Sequence, residues 1–374
     1  MRWRIVLAAP LVAGFFLTLA RAPSLGAHRR AADVLRRFAD RAPSALAIAD
    51  VGVDETDEDR DGPRRMRWYL PRGKSDPPGL VLVHGIHRLA IDEPRLVRFA
   101  RALAANGVVV LTPDVRELAD YRVDARSIDT IGAAAHALRA KLSRRVGVMG
   151  MSFAGGLSLL AACDPRFGSD IGMVVAVGAH DDAARVARFF ATSRITRPDG
   201  SAASLGAHGY GVLVFAYAHA DQFFPPQDVL IARQALASWL AEERDAARAT
   251  ALTSSPVSRE LLAHLFDHRL EQVTAPFLGA IDADTAALAA VSPRGKIDGL
   301  RIPIFLLHGA GDTVIPPTET EWLALDVPTS MLRDVLISRA LVHVEPGGQP
   351  TWYEQWELVH FLADVLAELD RVSR

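Results

Sequence analysis

The stretch from Arg145 to Cys163 constrains the fold of this chain more than any other. An apolar strand-like segment, Arg145 to Met149, meets Gly150-Met151-Ser152-Phe153-Ala154-Gly155-Gly156, and an apolar helix-like segment, Leu157 to Cys163, follows. A sharp strand-to-helix turn forces its central residue into a strained backbone, so the residues two places before and after it must be small. Gly150 and Ala154 meet that demand, with alanine where a second glycine is usual. Such a turn lifts a serine hydroxyl to the tip of a sheet, beside the free N–H groups of a helix N-terminus.

The chain around this turn has the matching rhythm. Leu80 to Val83, Gly107 to Leu111, Val146 to Met149, Gly172 to Val177 and Ile302 to Leu307 are short apolar runs, as expected of strands buried on both faces. Between them lie helical patterns at Leu96 to Ala105, Ile128 to Leu142 and Phe153 to Cys163. The alternation predicts an α/β protein with a mostly parallel sheet covered on both faces. Met331 to Ile337 adds a strand and Tyr353 to Leu369 a final helix.

Near the start, His28 to Arg41 reads as a helix, Leu46 to Val53 as a strand and Met66 to Leu70 as its hairpin partner. The acidic stretch Asp54 to Gly62 is expected to be the solvated turn between them. Its Asp57, Asp59, Asp61 and Gly62 match the opening of a calcium loop. The twelfth position is Trp68 instead of the closing glutamate, which argues against calcium. From about Asp181 to Gly299 the rhythm breaks into alanine-, arginine- and leucine-rich helical patterns such as Asp228 to Ala246, with recurring aromatics including Phe190, Tyr210 and Phe215. This interval is expected to be a helical cap inserted over the sheet. The domain reading is therefore an N-terminal signal or anchor (1–27), a core in two parts (28–180 and 300–374) and the cap (181–299).

Half of the 374 residues are hydrophobic, enough for a large core, and a net charge of −2 gives no electrostatic case for nucleic acid. Cys163 is the only cysteine, so the chain forms no internal disulfide and no cysteine metal cluster, and packing is its expected role. Arg2 and Arg4 precede the uncharged run Ile5 to Ala20, 16 residues long and short of the ~20 expected of a spanning helix. Arginines before an apolar run predict export: a periplasmic protein, or one anchored to the inner membrane with its main domain outside the cytoplasm. Ala20-Arg21-Ala22 (followed by Pro23) and Leu25-Gly26-Ala27 are the candidate cleavage sites.

A serine nucleophile needs a base, an acid to orient the base, and an oxyanion hole. Asp312 follows the buried strand Ile302 to Leu307 in the loop His308-Gly309-Ala310-Gly311-Asp312, which would place it at the same sheet edge as Ser152. His343 follows the strand Met331 to Ile337 and precedes the last helix, where a loop can carry imidazole between serine and aspartate. His360 is its rival, but it sits within that helix. His84 and His308, at strand ends beside glycines, are expected to bond loop backbone. The amide of Phe153 supplies one oxyanion donor, and the Ile86 amide in Val83-His84-Gly85-Ile86 the second.

With these residues in place, the chain resembles the α/β-hydrolase superfamily, nearest to dienelactone-hydrolase-like and esterase or lipase-like members with serine as nucleophile. The matching residues are His84-Gly85, Gly150 to Gly155, His308 to Asp312 and His343, in the family order Ser, Asp, His. The resemblance covers about Leu46 to Leu369 outside the cap. It implies an eight-stranded sheet, no required cofactor and no metal, and a small-molecule ester or acyl substrate. It does not separate ester hydrolysis from acyl transfer or peptide cleavage, and the fold also serves as a non-catalytic binding module. The N-terminal run is the expected route to any membrane association.

Overall fold

A computed structural model describes residues 23–39, 52–60, 64–342, 345–346 and 350–374. The apolar run Ile5 to Ala20 and most of the expected strand Leu46 to Val53 lie outside the described residues. Helix α1 spans Leu25–Phe38. It starts before His28 because Ser24 caps it, its hydroxyl accepting from the Ala27 amide at 3.2 Å. The second candidate cleavage site, Leu25 to Ala27, therefore forms the first turn of this helix, and Ala27 is buried.

Residues 54–60 of the acidic stretch form a strand instead of a turn. Strand β1, Val53–Arg60, runs antiparallel to β2, Arg64–Pro71, from Val53↔Pro71 to Arg60↔Arg64. The partner of Met66 to Leu70 is thus the acidic run itself. The physical reason is cross-strand charge. Arg67 lies opposite Asp57 and bonds it at 2.6 Å, and Arg65 reaches the same carboxylate. Both arginines also bind Asp92, so the acidity that reads as a loop is neutralised by the neighbouring strand.

Five strands follow that are buried almost throughout: β3 (Gly79–Val83), β4 (Val109–Pro113), β5 (Val146–Met151), β6 (Ile171–Val177) and β7 (Ile304–Gly309). With β8 (Leu332–Ser338) they complete an eight-stranded sheet of order β1-β2-β4-β3-β5-β6-β7-β8. All neighbours from β4 to β8 pair parallel, and β2 is antiparallel to both β1 and β4. Alternation along the strands divides the core. Val81, Val146 and Val148 face α3 (Arg126–Leu142) and α4 (Phe153–Cys163). Leu80, Leu82, Met149 and Val175 face α1, α2 (Pro94–Ala105) and the long α12 (Trp352–Val372).

Between β6 and β7 the chain forms α5 (Ala183–Thr192), a short hairpin of Arg194–Thr196 with Ala202–Ser204, α6 (Gly209–Ala218), α7 (Val229–Leu240), α8 (Arg244–Ala251), α9 (Pro256–Phe266) and α10 (Thr274–Ala283). The expected single helix Asp228 to Ala246 is two, broken where Glu242 takes φ +67°. Glu242 and Glu243 would oppose the dipole at a helix C-terminus, whereas Glu243 sits well before the first turn of α8. Helix α11 (Thr318–Asp326) then connects β7 to β8. Among the described residues no helix is long and apolar enough to cross a membrane.

Candidate active site

The chain places β4 on one side of β3 and then returns to place β5 on the other. Such a switch opens a crevice beyond the C-terminal ends of β3 and β5, where open α/β sheets bind their ligands. Ser152 stands at the end of β5, with φ 57° and ψ −133°, as the cap residue of α4. Its N–H donates to Val177 O at 2.7 Å, which ties the turn to β6. The turn closes so tightly that a Cβ on Gly150 would lie 2.3 Å from Ala154 O. The strained backbone therefore turns the Ser152 side chain out of the sheet, at the positive end of a helix whose residues are almost all buried.

The second expected donor segment arrives from β3. A Cβ on Gly85 would sit 3.3 Å from Ser152 Cβ, closer than an ordinary van der Waals contact, so the segment passes right beside the serine. Ile86 follows. Its carbonyl accepts from the hydroxyl of Tyr210 at 3.0 Å, a bond that holds the Ile86–His87 peptide next to the Ile86 N–H. Behind it, His84 is buried and held as a neutral ring. Its Nδ1–H donates to Gly85 O at 2.7 Å and its Nε2 accepts from the Val115 amide at 3.0 Å. Burial pushes its pKa down to about 4.

Asp312 is fully buried in the loop after β7. Its Oδ1 accepts from the amides of Val314 and Ile315 at 2.8 and 3.0 Å, and its Oδ2 lies 3.3 Å from His308 Nε2. His308 Nε2–H also donates to Ile315 O, and Nδ1 pairs with the Thr320 hydroxyl. His308 thus holds the loop, as expected. His343 lies outside the described residues, while Ala340 and Leu341 just before it line the same cavity as Ser152. His360 is exposed on α12, with Nδ1 2.9 Å from His28 Nε2.

The structure thus gathers Ser152, Phe153, Gly85 and Ile86 around one cavity of about 1110 Å³. Its roof comes from the inserted helices, including Phe190, Tyr210, Leu213, Trp239 and Phe266. Phe153 packs its ring against His180 at 4.9 Å. His180 is also buried, with Nε2–H donating to Val291 O and its pKa pushed down to about 4 by burial. Cys163, at the far end of α4, has its thiol pushed up to about 11 by burial, which suits packing rather than chemistry. No group of three or more His, Cys, Asp or Glu residues among the described ones could hold a metal ion.

Two contributors escaped the reading of the sequence. Tyr210 appeared there only as one aromatic among several, yet it bonds the strand end beside Ser152. His208 caps α6 with its side chain, and its N–H donates to Thr313 O beside Asp312. No local pattern marks either residue, because each acts across a long chain separation.

No protein-family model matches the chain. A stretch of 53 residues is 40% identical to pimeloyl-[acyl-carrier protein] methyl ester esterase of Aromatoleum aromaticum, covering 14% of this chain and 21% of that relative. Among solved structures, a protein of Legionella pneumophila assigned to the hydrolases is similar over 91% of this chain and 95% of its own, with TM-score 0.51 and 13% identity. The Pyrococcus furiosus esterase covers 87% of this chain and 92% of its own length at TM-score 0.44 and 14% identity. In strand order, in the turn at Ser152 and in its likeness to the Legionella structure, this chain has the α/β-hydrolase fold.

Proposed function

We propose that the protein is a serine hydrolase that cleaves a carboxylic ester of a small molecule through an acyl-enzyme. The observation that carries this reading is the backbone of Ser152. A side-chain-bearing residue at φ 57°, ψ −133° is costly, by about 1–3 kcal/mol, and persists where the surroundings over-determine it. Here that strain presents a hydroxyl at a helix N-terminus, facing a cavity, with a second backbone segment alongside.

In the proposed mechanism Ser152 Oγ attacks the ester carbonyl carbon while His343 accepts its proton. The tetrahedral oxyanion is received by the amides of Phe153 and Ile86. His343 returns the proton to the departing alcohol, and water then repeats the sequence on the acyl-enzyme to release the acid. Asp312 keeps the imidazole in the tautomer that accepts from serine. The charge pattern before residue 21 supports export, which fractionation of the host with an antibody to the protein tests.

A fluorophosphonate probe should label the protein at Ser152. Ser152→Ala should abolish both labelling and ester turnover, and His343→Ala should lower turnover by at least about 10³-fold. A folded protein that never labels would falsify the reading.

A further inference from the structure

The cavity at Ser152 does not end under the inserted helices. It continues past the serine to the opposite face of the sheet, between the strands and helices α1, α2 and α12. Leu35, Phe99, Met149, Met151, Leu307 and Val359 line this second arm. Met149 stands two residues before Met151 on β5, so the arm reaches roughly 7 Å below the sheet edge. All but Met149 keep part of their surface uncovered although they belong to the inner faces of packed elements.

Polar side chains described beside this arm have partners within the protein. Asp33 and Arg36 bond each other at 2.7 Å, and Gln355 donates to Pro350 O. A ligand there meets the apolar side chains of Leu35, Phe99, Met151, Leu307 and Val359. The whole space, about 1110 Å³, exceeds the usual ~300–1,000 Å³ of small-ligand sites.

Resting on the ester-hydrolase reading, we propose that the arm between the sheet and α1/α12 is a tunnel for a long unbranched hydrocarbon chain, and that the natural substrate is an ester bearing such a chain. A chain attached at the carbonyl runs from Ser152 along Met151 toward Val359 and Leu35. The inserted helices then receive the other half of the ester. Continuity with Ser152 argues for this occupant, since the arm opens at the residue where the scissile bond must lie.

The test is a series of p-nitrophenyl esters from acetate through butyrate and octanoate to laurate, with a matched series of acetates of long-chain alcohols, both assayed below micelle formation. The acyl series should show kcat/KM rising by about tenfold or more with chain length, and a rise confined to the acetates of long-chain alcohols overturns the placement. Val359→Trp and Leu35→Trp, which fill the arm, should each lower the long-to-short ratio of kcat/KM by about tenfold. The ratio is internally normalised, so a loss of folded protein cancels. Labelling of Ser152 by ethyl and dodecyl fluorophosphonates gives an independent reading and should show the same preference and the same loss.

A flat chain-length profile in a protein that still labels at Ser152 overturns the tunnel and leaves the hydrolase standing. A preference that survives both tryptophans but is lost in Leu265→Trp places the chain under the inserted helices and overturns it too. Failure of Ser152 to label at all is the outcome that removes the hydrolase reading beneath it.

Discussion

Ser152 and its immediate neighbours carry the strain on which the site depends, and single substitutions there have sharply different expected effects. Gly150→Ala would bring a methyl within 2.3 Å of Ala154 O and 2.6 Å of Ser158 Oγ, so β5 and α4 must part. The expected cost is about 1–3 kcal/mol, read as a lower urea midpoint at unchanged m-value, with a slower fluorophosphonate reaction. Tyr210→Phe removes one hydrogen bond of about 1 kcal/mol from Ile86 O. Where that bond, by fixing the Ile86–His87 peptide, also holds the Ile86 N–H one peptide earlier, kcat falls about fivefold with KM little changed. A change confined to KM would assign Tyr210 to roof packing instead. Gly150 was legible from its place before the serine, since the turn demands a small residue there. Tyr210 was not, because its partner lies 124 residues away.

At the scale of elements, the inserted helices are tied down at both ends by one ionic cluster. Glu319, on α11 after the Asp312 loop, accepts from the amides of Asp181 and Asp182 at 2.9 and 3.0 Å and pairs with Arg185 at 2.5 Å. Arg185 also binds Asp181, while Arg294 donates its amide to Asp181 O and its guanidinium to Asp182. Arg185→Met would leave the buried Glu319 and Asp181 without the guanidinium that both bond, at an expected cost of about 3–5 kcal/mol, measured by urea unfolding above pH 7. Asp181 faces Arg185, Glu319, Asp182 and Asp326, with His180 and Arg294 adjacent. Burial pushes its carboxyl up to about 7, against the opposing pull of Arg185. The folded state thus holds a proton that the unfolded state releases near 3.8, so this group favours folding below that pH and loses its contribution as pH rises toward 7. Asp181→Asn should match the parent in acid and gain on it by a few kcal/mol by pH 8; equal pH profiles for the two proteins would show that Asp181 is ionised throughout. The helices themselves were legible from apolar periodicity. The latch was not, since Arg185 and Glu319 stand 134 residues apart and each reads locally as an ordinary surface charge.

Across the whole molecule, the parallel sheet was legible because its central strands are apolar runs of the right length, and the order of Ser152 and Asp312 along the chain follows from that sheet. Strand β1 was misread because its composition is that of a loop, and only the arginines of β2 make it a strand. The same long-range pairing governs how the folded molecule should respond to acid. His84 joins β3 to the segment after β4, and His180 joins the end of β6 to Val291 at the close of the insertion. Burial pushes both down to about 4 from 6.5. Each is therefore neutral when folded and protonated when unfolded across that interval, and each weakens the fold as pH falls from 6.5 toward 4. A protonated His84 also loses the Nε2 lone pair that accepts from Val115, so the link between two strands fails along with the charge balance. Asp181 acts in the opposite direction over nearly the same interval. The part of the stability that the two histidines govern rises toward pH 6.5, and the part that Asp181 governs falls over the same range, by about one proton or roughly 1 kcal/mol per pH unit near pH 5. In Asp181→Asn that opposing group is gone, and the slope should be more positive than the parent's by about one proton, roughly 1 kcal/mol per pH unit near pH 5. Urea midpoints measured from pH 4.5 to 7 on both proteins check this, and parallel lines of equal slope would break the assignment of Asp181 as the counterweight to the two buried histidines.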